Sequence, residues 1–208
     1  MSDTPAYQVL ARKYRPETFV DLVGQDAMVR TLKNAFAADR IAQAFMMTGI
    51  RGTGKTTTAR IRGVIDSVYY RASSARYKSY IIDEVYRLST GSFNALLKSL
   101  EEPPTHVKFI FATTEIRKVP VTVLSRCQRF DLRRIEPEVM IALMRKIATA
   151  EGAEISDDAL ALITRAAEGS ARDATSLLDQ AISHGAGETT ADQVRAMLGL
   201  ADRGRVLD

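Results

Sequence analysis

A chain of 208 residues is long enough for one or two domains with real cores, and 46% hydrophobic with 26% charged side chains is the balance of a soluble globular protein. No apolar run reaches the roughly 18 residues that predict a membrane span, and Met1-Ser2-Asp3-Thr4-Pro5 lacks the apolar core of a secretion signal, so the expected compartment is the cytoplasm. A single cysteine, Cys127, excludes an internal disulfide and a cysteine zinc cluster, and the net charge of +4 hides an asymmetry: residues 1–135 carry 22 Lys and Arg against 12 Asp and Glu, residues 136–208 only 7 against 13. A basic front and an acidic back predict two domains, divided at 135/136. The basic excess suits phosphate groups or nucleic acid, or a merely solvated face.

The N-terminal arm, Tyr7 to Pro16, is polar and basic with aromatic punctuation, and Pro16 pushes Arg15 towards an extended conformation, so the arm is expected to be ordered but not helical. A turn over 19–25 precedes a helix that carries Val29, Leu32, Ala35 and Phe36 at helical spacing. Ala44-Phe45-Met46-Met47 then reads as a buried strand. It runs into Gly49-Ile50-Arg51-Gly52-Thr53-Gly54-Lys55-Thr56, which fits the phosphate-loop pattern G-x-x-x-x-G-K-[ST] at every fixed position. Glycines let successive N–H groups turn inward towards phosphate oxygens, and the following helix, opened by Thr57, adds its positive end. In such a loop Lys55 reaches the β- and γ-phosphates and Thr56 holds Mg²⁺.

Residues 62–75 carry no clear pattern. Lys78-Ser79-Tyr80-Ile81-Ile82 is a strand ending in Asp83-Glu84, the arrangement in which Asp83 takes Mg²⁺ and Glu84 orients and deprotonates a water. An amphipathic helix over 92–102 presents Phe93, Leu96, Leu97 and Leu100 and stops at Pro103-Pro104; His106 just after it is expected at the surface. Another strand, 107–112, ends at Thr113-Thr114. Strand C-termini of a parallel sheet face the ligand, which makes Thr114 a candidate γ-phosphate sensor. A basic segment, Ser125-Arg126-Cys127-Gln128-Arg129, leads into a short strand over 129–132. Beyond Ile135 the pattern is helical: 138–149 with Val139, Leu143 and Ile147, 157–167 with Leu160, Leu162 and Ile163, a helix opened by Ser170-Ala171-Arg172-Asp173 as a capping box, with His184 near a helix end, and a last one over 191–198.

Taken together, Val9 to Pro16, Val23-Gly24-Gln25, the phosphate loop, Ile82-Asp83-Glu84-Val85, Phe93 to Lys98, Leu100-Glu101-Glu102-Pro103-Pro104, Ala112-Thr113-Thr114, Leu124-Ser125-Arg126-Cys127 and Gly169 to Asp173 resemble the gamma/tau subunits of the bacterial DNA polymerase III clamp loader, which are AAA+ ATPases. The resemblance covers nearly the whole chain. It implies an α/β phosphate-loop domain with a parallel sheet, followed by a small all-α lid, and an ATPase that works in a ring with other clamp-loader subunits, the sliding clamp and primer-template DNA. It further implies that Arg126 is an arginine finger acting on a neighbour's ATP and that Arg172 is a lid sensor. Tyr14, Arg15, Pro16, Val23 and Gly24 would line the adenine site.

Three departures stand beside these matches. Members of that family carry a four-cysteine zinc module and a further strand between the phosphate loop and the acidic strand end, whereas here Lys55 and Asp83 are only 28 positions apart and the zinc ligands are absent. Ile61-Arg62 is the expected seam, where either a stretch of the polypeptide is absent from this sequence or the protein itself is a shortened relative. Tyr86-Arg87 stands where the family usually has His-Met, and the collar domain expected from the resemblance is not among these 208 residues. These departures keep open a second reading, a non-hydrolysing or degenerate AAA+ structural subunit. A third, a branch-migration motor, lacks the Ser-Arg-Cys and Leu-Glu-Glu-Pro-Pro signatures.

Overall fold

The computed structural model describes residues 8–38, 40–60, 78–105, 107–184 and 187–199, so the expected seam at Ile61-Arg62 and the surface placement of His106 lie outside the described residues. In chain order the elements are α1 (Leu10–Lys13), α2 (Asp26–Ala37), β1 (Ala44–Thr48), α3 (Lys55–Arg60), β2 (Lys78–Ile82), α4 (Thr90–Glu101), β3 (Val107–Thr113), α5 (Val121–Leu124), β4 (Gln128–Asp131), α6 (Pro137–Ala150), α7 (Asp157–Ala166), α8 (Ala171–His184) and α9 (Ala191–Met197). They fall in two compact units, residues 16–133 and residues 134–208 together with 1–15.

The first unit is built on a parallel sheet in the order β2-β3-β1-β4. Strands β1 and β3 are buried along their whole length, which is why both read as near-continuous apolar runs and not as alternating ones. Their side chains still alternate between faces. Phe45, Met47, Ile110 and Ala112 pack with Phe19, Leu22, Met28, Val29, Leu32 and Phe130 on one side, and Met46, Phe109 and Phe111 with Val85, Phe93, Leu96 and Leu100 on the other. Helix α4 keeps its expected apolar stripe and is capped at its start by Ser89, whose Oγ accepts from the Ser92 N–H at 3.2 Å. Strand β4 begins one residue earlier than its pattern suggests, because its ladder with β1 runs from Phe45 opposite Gln128 to Thr48 opposite Asp131.

Gln25 explains the Val-Gly-Gln motif structurally. Only 3% exposed, it donates Nε2 to the Arg133 carbonyl at 2.9 Å and accepts from the Arg133 N–H at 3.2 Å, tying the last residue of this unit into its core.

In the second unit Met140, Met144, Leu160, Ile163, Leu178 and Val194 are fully buried and Ile147 nearly so, at 2%. This corrects the expected stripe of α6: Met140, Met144, Ile147 and Ala148 face inward, Leu143 is half-buried and Val139 is 38% exposed. The unbranched methionines fill the seam, so the stripe is rotated by one position. The N-terminal arm, expected not to be helical, is helical in part. It forms the single turn α1, held within this unit by a hydrogen bond from the Leu10 N–H to Asp179 Oδ2 at 3.0 Å and by Glu151, which accepts from Lys13 Nζ at 2.7 Å and from the Tyr14 hydroxyl. Gly169 closes the bend before α8 with φ +83°; a Cβ there would lie 2.6 Å from that of Arg134. Ser170 Oγ accepts from the Asp173 N–H at 3.2 Å, one half of the expected capping box, while the Ser170 N–H donates to the Ala167 carbonyl at 2.9 Å. Among the described residues, no helix is long and apolar enough to cross a membrane.

Candidate nucleotide-phosphate site

The loop after β1 owes its shape to glycines. Gly49, Gly52 and Gly54 have φ of +140°, +79° and +99°, conformations that side-chain-bearing residues rarely adopt. At Gly49 space is closed as well: a Cβ would sit 2.6 Å from the Leu132 carbonyl oxygen. Gly49→Ala is therefore expected to destabilise the fold by about 1–3 kcal/mol, read as a lower urea midpoint. Thr53 Oγ1 donates to the Ile50 carbonyl at 2.9 Å and so braces the bend from within. Ile50 is half-buried, Arg51 is exposed, and Thr57 is half-buried in the first turn of α3.

Lys55 opens α3 and is only 5% exposed, with Nζ donating to the Ile50 carbonyl at 2.6 Å. Burial pushes its pKa below the usual lysine value, against the pull of Glu84 and then Asp83. A buried ammonium whose charge is disfavoured is well suited to an anionic ligand, and without one it costs stability. The unfolded chain binds the proton more tightly, so stability gains from this group as pH rises from the folded pKa to the unfolded value of 10.5. Lys55→Met should raise the nucleotide-free unfolding free energy near pH 7 by about 1–2 kcal/mol. That advantage should shrink as the pH approaches 10.5, measured by urea titration at both ends.

Three strand ends converge on this loop. Thr56 Oγ1 donates to Asp83 Oδ2 at 2.8 Å, which joins the start of α3 to the end of β2. Glu84 follows with φ +48°, and its Oε2 accepts from the Thr114 N–H at 3.2 Å and the Thr114 hydroxyl at 3.0 Å. The expected base and the expected sensor are thus directly bonded across the ends of β2 and β3. Two oxygen donors of the kind magnesium prefers, Thr56 and Asp83, already touch, and a loop of positive-φ glycines lies beside a buried lysine, so these residues fit a magnesium-bound triphosphate.

The other expected site residues are divided between the two units. Pro16, Val23 and Gly24 belong to the sheet unit and are each half-buried; Tyr14 and Arg15 belong to the helical unit, as does Arg172, exposed in the first turn of α8. Arg126 is outside the strand-end cluster: its Nη1 donates to the Thr122 carbonyl and its Nη2 to Glu101, each at 2.7 Å. Sequence reasoning missed Glu101 as a partner of Arg126, although both lie in motifs it singled out. Burial pushes the neighbouring Cys127 thiol up to about 11, which keeps it protonated and unreactive at neutral pH.

Residues 56–136 match the family model of the DNA polymerase III delta subunit, and residues 141–187 that of the DNA polymerase III clamp loader subunit ATPase lid domain. The chain is 40% identical to DNA polymerase III subunit tau of Escherichia coli (strain K12), over 97% of this chain and 39% of that protein. It is 37% identical to DNA polymerase III subunit gamma of Buchnera aphidicola subsp. Baizongia pistaciae (strain Bp), over 97% of this chain and 67% of that protein. The match to tau takes 249 aligned positions against 208 residues in this whole chain, so at least 41 of them are residues of tau with no counterpart here. Among solved structures, the RuvB Holliday junction branch migration motor of Thermotoga maritima superposes with a TM-score of 0.74 over 90% of this chain and 72% of that one. At 19% identity that likeness shows the α/β AAA+ fold alone. Relatives of this identity, matched along nearly the whole chain, show that it belongs to the gamma/tau subunit family of DNA polymerase III.

Proposed function

We propose that this chain is the ATP-binding and hydrolysing part of a clamp-loader subunit of the replicative DNA polymerase III holoenzyme, in which ATP drives loading of the sliding clamp onto primed DNA. The observation that carries the reading is the bonded cluster Thr56–Asp83 and Glu84–Thr114 beside buried Lys55. The sheet unit, residues 16–133, acts as the nucleotide-binding domain, and the helical unit, residues 134–208 with 1–15, as its lid. The loop N–H groups of 49–54 and Lys55 bind the phosphates, and Tyr14, Arg15, Pro16, Val23 and Gly24 take the adenine. Thr56 and Asp83 would hold Mg²⁺, which when bound neutralises phosphate charge. Glu84 orients the attacking water and accepts its proton, while Thr114, bonded to Glu84, reads the terminal phosphate.

Arg126 acts on the ATP of an adjoining subunit in a ring and Arg172 on the γ-phosphate of its own, so hydrolysis depends on assembly and on the lid. Partners are the other clamp-loader subunits, the sliding clamp and primer-template DNA, in the cytoplasm where replication takes place. One observation favours a second reading, a subunit that binds nucleotide without hydrolysing it: at least 41 aligned residues of tau are missing from this chain. Turnover of ATP with clamp and primed DNA present decides between the two. The motor reading expects stimulated turnover that Lys55→Ala abolishes; turnover equal in both proteins while nucleotide still binds would contradict it.

A further inference from the structure

Arg126 follows the single turn α5 and is 35% exposed, yet its guanidinium is fixed at two points. Nη1 donates to the Thr122 carbonyl one turn back, and Nη2 to Oε1 of Glu101, 25 residues earlier. Glu101 is the last residue of α4, and Pro103-Pro104 behind it stop that helix, which sets where the carboxylate stands. With the Thr122 bond alone, the planar fork could still swing about its long stem. A second anchor on the other nitrogen fixes the plane as well.

A guanidinium has five N–H donors, and these two bonds take one each, leaving three for a phosphate. An arginine that must reach into a neighbouring molecule otherwise loses its rotamer freedom at the moment of use, so orientation in advance favours the engaged state. We propose that Glu101 is a positioning residue for Arg126, holding its fork ready for the terminal phosphate of a nucleotide bound by an adjoining copy. The proposal rests on the ring-ATPase reading and adds to it a residue that never touches the nucleotide.

The test uses complexes assembled from the full-length subunit with its partner subunits, clamp, primed DNA and MgATP. Since exposed ion pairs are modest, Glu101→Ala is expected to lower kcat about fivefold with KM unchanged, and Glu101→Gln, which keeps an acceptor oxygen, about twofold. In an Arg126→Ala background neither change should lower the residual turnover further, because the partner is already gone. Unchanged kcat in Glu101→Ala overturns the proposal, and so does an equal fall in the Arg126→Ala background, which would assign Glu101 a role in the fold around α4. If Arg126→Ala leaves turnover at neighbouring sites intact, the finger reading itself falls, and the positioning role with it.

Discussion

Glu84→Gln is expected to bind MgATP as tightly as the intact chain and to turn it over about 10²–10⁴ times more slowly, the contribution of a well-placed general base. The amide keeps the size of the carboxylate and retains an oxygen that can accept from the Thr114 N–H and hydroxyl, so the cluster at the ends of β2 and β3 should stay in place. It cannot take a proton from water. Binding and chemistry should therefore separate: an unchanged dissociation constant by calorimetry and a collapsed kcat in a phosphate-release assay. Loss of both together would mean that Glu84 holds the fold of the site, and retention of both would mean that another group activates the water.

Arg126→Ala should lower turnover by about 10³ in a ring made wholly of the variant, at the lower end of what arginine fingers contribute. The informative experiment is the mixed ring. A finger supplied to a neighbour leaves the variant's own site competent and silences the adjoining one, so turnover should fall in proportion to the variant's share even when that variant carries an intact Lys55 and Glu84. An effect confined to the variant's own site would contradict the assignment. Removing Arg126 also leaves Glu101 without its ion pair, but both side chains are substantially exposed, so folding stability should change by less than about 1 kcal/mol.

How far the sequence discloses this molecule depends on the range of the interactions involved. Local patterns suffice for the phosphate loop, for the buried runs of β1 and β3, and for the Ser170 cap, because each is specified within a few residues. The Thr190-x-x-Gln193 capping box at α9 is specified just as locally, with both of its bonds formed. Pairings distant in sequence were not legible. Nothing near Gln25 announces that it binds the backbone of Arg133, and nothing near Glu101 announces Arg126. The turn α1 is specified in the same way, by Asp179 and Glu151, far along the chain. The mis-phased stripe of α6 has a different origin: Val139 and Leu143 are apolar like their neighbours Met140 and Met144, so hydropathy alone does not say which of each adjacent pair faces the core.

Every role assigned to these residues begins with a nucleotide entering the loop before Lys55, and titration calorimetry of the folded chain with MgATP measures that step alone. The expected result is one site per chain, weakened at least about tenfold by Lys55→Ala through loss of a buried charge contact and weakened by Thr56→Val only when magnesium is present. A folded chain that takes up no MgATP, or binds it equally well without the Lys55 ammonium, would contradict the account.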